Sequence, residues 1–327
     1  MRFLLIITTL QRTSELRRFL KSASDQTYKN LEIIIVDQNE DDRVARVLEE
    51  FTEVLSLRHV RSARRGASAG RNIGLSVPWD AEIVAFPDDD CWYPPDLLAR
   101  VAEFFRLHPE WQGLTGRSLT GDGLPSNGRW HSDPGQVTLR NAWNRATCFS
   151  IFFRSAVARE ATFDESLGGG ANTLWGGGED LDFLLQVITS KNRIYFDPSL
   201  AVHHPEWSTT GEMLSVREKA YTYACGMGRV LRKHRYPFHL VVYHLIRPLG
   251  GALLRLAKGK PGPAAYHWAI LRGRLRGWAA PMRSPGTVMS ASSAPAPVSA
   301  VAVSPAPSPL SGRTAEPAES TRSGGCL

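Results

Sequence analysis

Cysteine is scarce in this chain. Its 327 residues include four (Cys91, Cys148, Cys225 and Cys326), with no C-x-x-C pair and no zinc-ligand spacing. That excludes a disulfide-stapled secreted scaffold and a cysteine–zinc module, and makes a reducing compartment the expectation. Glycine is missing from the turn Thr8-Thr9-Leu10-Gln11-Arg12 after the first apolar run, so the G-x-G-x-x-G fingerprint of a dinucleotide-dependent oxidoreductase has no place there. Within the run 229–278, the longest uncharged window falls short of the roughly 18 apolar residues of a membrane span. Residues 3–7 are too short for a signal-peptide core and lead to no small-residue cleavage site. Between Arg229 and Arg283 there is no Asp or Glu among twelve Lys or Arg. No internal repeat occurs.

What is present is a globular composition, 43% hydrophobic and 22% charged, with room for one large domain or two small ones. The net charge of +7 is uneven, because the basic stretch leaves residues 1–228 at about −5. Apolar, β-branched runs at 3–8, 31–36, 55–60 and 83–86 alternate with helical patterns at 15–24, 41–51, 69–75 and 96–107. That alternation predicts a mostly parallel central sheet covered by helices on both faces. Beyond Trp111 the pattern predicts strands at 113–119, 148–153 and 193–196, an edge segment at 201–205, and a helix over 179–189 after the Gly-rich loop 168–178. Residues 229–278 mix apolar patches with arginines, interrupted at Pro248, Gly250 and Gly251; they predict an interfacial helix pair. The Pro/Ala/Ser-rich stretch 284–327 predicts disorder. The chain thus divides into a domain over 1–210 (halves 1–110 and 111–210), a basic amphipathic helical segment over 211–283, and the tail.

The most informative stretch is 82–98. Ile83, Val84, Ala85 and Phe86 read as a buried strand, Asp88-Asp89-Asp90 follow at its C-terminal end, and Pro94-Pro95 stand where a helix begins. Three carboxylates this close repel one another unless a cation or hydrogen-bond donors hold them. Oxygen ligands suit Mg²⁺ or Mn²⁺, which bind one or two carboxylates together with substrate phosphates. Open α/β sheets bind ligands at strand ends. The bland alternative is a solvated turn capping a helix.

In chain order, a strand ending in Asp37, then Arg71-Asn72-Ile73-Gly74, then Asp88-Asp89-Asp90, then Glu179-Asp180 resembles the family 2 glycosyltransferases, inverting enzymes with the nucleotide-binding GT-A fold. The opening Ile6-Ile7-Thr8-Thr9-Leu10-Gln11-Arg12 is similar to that family's strand and Pro-Thr-Tyr-Asn-Arg turn. Ser24-Asp25-Gln26-Thr27-Tyr28 and Leu31-Glu32-Ile33-Ile34-Ile35-Val36-Asp37 are similar to its Gln-Thr-Tyr and Val-Asp-Asp segments. The resemblance covers roughly residues 2–205. It implies that 1–110 bind the nucleotide-sugar and 111–210 the acceptor. Thr9 and Asp37 would line the nucleoside pocket, Arg71 would lie beside base or diphosphate, and Asp88 and Asp90 would face ribose and metal. Asp180 would be the catalytic base, His203 a late histidine near the metal, and Trp175 and Glu179 acceptor or lid residues. The implied cofactor is Mn²⁺ or Mg²⁺, the donor a nucleotide-diphosphate sugar, and the acceptor a saccharide or lipid-linked saccharide. The implied setting is bacterial cell-surface polysaccharide or glycolipid synthesis, cytoplasmic or peripheral at the inner face of the membrane. Leu10 stands where an aromatic often stacks on the base, and Gln38 where a second Asp is usual; both leave the nucleotide's identity open.

Each residue also has a structural reading. Asp37 suits a strand-end turn, Glu179-Asp180 suit a helix N-terminus, and Trp175 serves a lid or a core anchor equally well. His203 and His204 both suit structural positions. A nucleotidyltransferase would carry a Gly-rich basic loop after the first strand, which is lacking here. A nucleic-acid surface over 229–283 is the non-enzymatic alternative. There, Tyr236, Phe238, Tyr243, Tyr266, Trp268 and Trp278 sit among aliphatic runs, which favours lipid or a partner helix over nucleic acid, with an anionic membrane surface as the expected partner.

Overall fold

The computed structural model describes residues 1–205, 213–282 and 300–302. Four apolar runs become β1 (Phe3–Thr9), β2 (Leu31–Asp37), β3 (Ser56–Arg61) and β4 (Ile83–Ala85), parallel in the order β4-β1-β2-β3. The helices α1 (Ser14–Ser24), α2 (Arg43–Glu49) and α3 (Ala67–Ser76) make the crossovers, and α4 (Leu97–Leu107) leads on to β5 (Gly113–Leu119). Alternation along each buried strand sends side chains to opposite faces. Leu4, Ile6, Ile34 and Val36 join one core layer, and Phe3, Leu5, Ile7, Ile33 and Ile35 the other. Fully burying one such side chain contributes about 1.5–3 kcal/mol.

The second half adds β6 (Gly135–Gln136), β7 (Ile151–Arg154), α5 (Ser155–Glu160), α6 (Glu179–Thr189) and β8 (Ile194–His203). Here the sheet is not mostly parallel as expected. β7 runs antiparallel between β4 and β5, β6 is antiparallel to β8, and only β5–β8 is parallel. A short run buried on both faces does not encode its direction. β8 also continues through Pro198, where a strand break was expected. The pairing with β5 shifts register between Thr115 and Arg117, and proline is tolerated at such irregularities.

Residues 213–279 form α7 (Met213–Lys233), α8 (Phe238–Ala257) and α9 (Pro261–Ala279). They are not a detached appendage, since Val230, Leu231, Tyr236, Leu240 and Val241 belong to the same core layer as β1 and α6. Asp182 on α6 is fully buried and is held by Lys233 Nζ at 2.9 Å and His234 Nε2 at 2.8 Å; Lys233 also reaches Asp164 at 2.7 Å. The interruption expected at Pro248 does not occur: Pro248 lies inside α8, which is long and apolar enough to cross a membrane by length and composition. Of the tail, only β9 (Ala300–Ala302), antiparallel to β3, lies within the described residues; the disorder expected elsewhere in it lies outside them.

The contact between α7 and the Gly-rich loop is backbone on backbone. A methyl group added at Gly226 would fall 1.8 Å from Gly177 O, whereas one added at Gly250 on α8 meets nothing within 4 Å. Gly226→Ala is therefore expected to destabilise the protein by about 1–3 kcal/mol. Gly250→Ala should instead stabilise it by up to about 1 kcal/mol through helix propensity. Thermal melts of the two variants check this; equal shifts in one direction would contradict the packing described.

Candidate active site

The C-terminal ends of β1 and β4, the start of α3, the start of α6 and the end of β8 meet around one cleft of about 690 Å³. α3 lies so close to β1 that a methyl group at Gly70 would fall 2.3 Å from the Thr8 side chain. That close approach brings the neighbouring Arg71 into the cleft wall.

The turn after β4 divides its three carboxylates. Asp89 faces inward, accepting from Thr9 Oγ1 at 2.7 Å and Arg12 Nη1 at 2.8 Å. Burial pushes its pKa up to about 6 against the opposing effect of Arg12. Asp88 accepts from Arg71 Nη2 at 2.8 Å; burial raises its pKa and the charge of Asp90 adds to this, with Arg71 opposing. Asp90 is paired with Arg12. Its Oδ1 lies 2.9 Å from His204 Nε2 yet has no aligned hydrogen-bond partner. Burial raises the Asp90 pKa, but contact with His204 and the charge of Arg12 outweigh it and hold the carboxyl below its ordinary value.

Asp88, Asp90 and His204 each offer a ligand atom, all within 4.8 Å of one another. His204 Nδ1 lies 2.7 Å from Pro205 O, which favours a proton on Nδ1 and leaves Nε2 facing the carboxylates, the usual second-sphere arrangement of a metal-binding histidine. Together with the open Asp90 oxygen, this donor set fits a divalent ion.

Across the cleft, α6 opens with Glu179 and Asp180. Asp180 Oδ1 accepts from Leu181 N at 2.8 Å, and Oδ2 lies 3.3 Å from Cys148 N and 3.5 Å from Thr147 Oγ1. Glu179, which also lines the cleft, lies 3.8 Å from Arg71 Nη1. Burial, then the charge of Asp180, pushes the Glu179 pKa up to about 7. Arg71 is only 5% exposed, and its Nη1 has no hydrogen-bond partner. Burial opposes its charge, but the surrounding carboxylates raise its pKa above the ordinary value.

Asp88, Asp90, Arg71, Glu179 and Asp180, all picked from the sequence, share this cleft. Thr9 and Asp37 sit behind its wall. Thr9 holds the Asp89 turn, and Asp37 is fully buried, bound by His59 Nε2 at 2.9 Å and by Asn39. A second cleft of about 200 Å³ in front of Asn39 is lined by Leu10, Gln11, Glu40, Asp41, Arg43 and Arg65. His203, the histidine expected near the metal, points away: its Nδ1 lies 2.9 Å from Thr120 O and its ring stacks on Trp92. The histidine that reaches the carboxylates is His204. Trp175 is half-buried against the core with Arg229 over its ring; the indole in the cleft wall is that of Trp143. Arg12, His204 and Trp143 were missed. Arg12 and His204 were visible only as neighbours of chosen residues, and nothing local marks Trp143.

This mixed sheet, whose parallel strands β1 and β4 carry acidic turns at their carboxyl ends, is the GT-A architecture. A mannosyltransferase from Pyrobaculum calidifontis, solved in complex with GDP-Man and Mn²⁺, superposes with a TM-score of 0.59 at 18% identity, over 84% of this chain and 87% of that one. The model of the family described as Glycosyl transferase family 2 matches residues 4–162, just under half of this chain, and together with the relatives below it supports a place in that family. Among curated relatives, a succinoglycan biosynthesis protein of Rhizobium meliloti is 32% identical over 109 residues, 31% of this chain and 34% of its own length. A GalNAc(5)-diNAcBac-PP-undecaprenol beta-1,3-glucosyltransferase of Campylobacter jejuni is 25% identical over 182 residues, 52% of this chain and 57% of its own. The chain therefore spans about a third to just over half of the length of these curated relatives.

Proposed function

We propose that this protein is a metal-dependent, inverting glycosyltransferase that moves a sugar from a nucleotide-diphosphate sugar to a hydroxyl acceptor. The carrying observation is the division of one cleft into two chemical sides, with Asp88, Asp90 and His204 on one and Asp180 on the other. Asp88, Asp90 and His204 would hold the ion, and carboxylate with imidazole suits Mn²⁺ better than Mg²⁺. When bound, a divalent ion supplies Lewis-acid stabilisation of the negative charge that builds on a diphosphate leaving group.

The chain's own groups do the rest. Arg71, buried with one nitrogen that makes no hydrogen bond, offers a fixed cation to the diphosphate. Asp180, oriented by the amides of Leu181 and Cys148, takes the proton from the acceptor hydroxyl as it attacks. The hydroxyl oxygen bonds to the anomeric carbon while the carbon–oxygen bond to the diphosphate breaks, so the configuration inverts in one displacement. No protein nucleophile is needed. Asp180→Asn keeps the side chain's shape and removes the proton acceptor. It is expected to slow single-turnover transfer by a factor of about 10²–10⁴ with donor affinity retained. Transfer at the unmutated rate by Asp180→Asn, with Glu179→Gln inactive, would move the base one residue back.

We assign the setting to cell-surface polysaccharide or glycolipid synthesis, at the inner face of a bacterial membrane. The name of one relative specifies an undecaprenol-linked diphosphate substrate. In this chain α8 turns Tyr243, Ile246, Leu253 and Leu254 outward, beside Arg247, Arg255, Lys258 and Lys260 and with no acidic residue nearby in sequence. Each such cation near an anionic surface contributes about 1 kcal/mol. Ile246→Glu with Leu254→Glu should release the full chain from vesicles containing anionic lipid. Unchanged co-sedimentation of that variant would remove the membrane from this account.

A further inference from the structure

The cleft has one wall that the donor chemistry does not use. It is built from Ala142, Trp143, Ala146 and Thr147 on one side and from Tyr223 and Met227 of α7 on the other. Trp143 is its largest flat surface, and it is fixed from behind. Its Nε1 donates to Tyr236 OH at 3.0 Å. Its ring lies against that of buried His244, with centroids 4.0 Å apart and planes 31° apart. The Arg274 guanidinium sits 5.4 Å from the ring centre. All three backing residues come from residues 236–274, outside the stretch that the family model matches. From Trp143 itself the chain continues within five residues to Thr147 and Cys148, which hold the Asp180 carboxylate.

Resting on the glycosyl-transfer reading above, we propose that Trp143 is the platform for the acceptor, and that the acceptor presents a saccharide ring there. With its N–H committed to Tyr236, the indole offers the cleft carbon surface rather than a hydrogen-bond donor. A pyranose has the matching character, with C–H bonds over one face and hydroxyls around its edge. Stacked on Trp143, such a ring turns an edge hydroxyl toward Asp180. A platform held in advance by three neighbours loses little freedom when the ligand arrives, which favours affinity. Tyr236, His244 and Arg274 are positioning residues. They give the C-terminal helices a part in acceptor selection that is separate from any membrane contact.

The test compares donor hydrolysis without acceptor, and transfer to octyl glycosides of several sugars with 1-octanol as a probe lacking the ring. In Trp143→Ala the acceptor KM should rise roughly tenfold or more, while donor hydrolysis keeps its rate. Trp143→Phe should recover part of the loss. Tyr236→Phe, which removes only the hydroxyl that fixes the indole, should raise the acceptor KM by a smaller factor and leave donor KM unchanged. An unaltered acceptor KM in both Trp143 variants overturns the platform, and so does transfer to 1-octanol as efficient as to every glycoside. If Trp143→Ala fails to fold, Trp143→Phe and Tyr236→Phe decide by the same readout. A wild-type protein inert toward every nucleotide-sugar with Mn²⁺ overturns the glycosyl-transfer reading itself, whereas transfer with insensitive Trp143 variants overturns only the platform.

Discussion

Five carboxylates, those of Asp88, Asp89, Asp90, Glu179 and Asp180, are brought to one half-enclosed cleft. Like charges at such range and burial repel strongly, and the local architecture is arranged around containing that repulsion. Arg12 bridges Asp89 and Asp90, Arg71 joins Asp88 to Glu179, and His204 closes on Asp90. Burial also pushes the Asp89 and Glu179 pKa values up, to about 6 and about 7. Two guanidinium groups and one imidazole facing five acids leave negative charge uncompensated and so leave room for a divalent ion.

The C-terminal helices follow from the same need for fixed geometry. A base at the start of α6 is useful only if α6 cannot drift. Asp182, two residues past Asp180, is locked by Lys233 and His234. Breaking a buried pair of this kind typically costs about 3–5 kcal/mol. The Gly-rich loop before α6 is likewise tied down. Ala67 N donates to Gly169 O at 3.0 Å, and Gly176 N donates to Thr222 O at 3.1 Å. The loop therefore holds α6 between α3 and α7. With Trp143 of the cleft wall backed by Tyr236, His244 and Arg274, the basic segment packs against the cleft as well as offering a candidate membrane face.

The fold was legible where chemistry repeats. Continuous apolar runs marked β1 to β4, and the turn after β4 drew attention because three carboxylates cannot stand together unaided. Strand direction in the second half was not legible: Ile151, Phe152 and Phe153 are apolar whichever way β7 runs. The same limit separated His203 from His204. Adjacent residues on a strand face opposite ways, and only the pairing of β8 with β5 decides which ring meets Asp90. Trp143 depended on Tyr236, His244 and Arg274, about 90 to 130 residues away in sequence, and no local pattern carries such a contact.

Manganese binding followed by electron paramagnetic resonance, in the presence of a nucleoside diphosphate, tests the central claim most directly: that Asp88, Asp90 and His204 hold the ion opposite Asp180. The account predicts one bound Mn²⁺ per chain in the wild type and in His203→Gln, with affinity reduced by at least about tenfold in His204→Ala. Wild-type affinity in His204→Ala, or loss of the ion in His203→Gln alone, would contradict it.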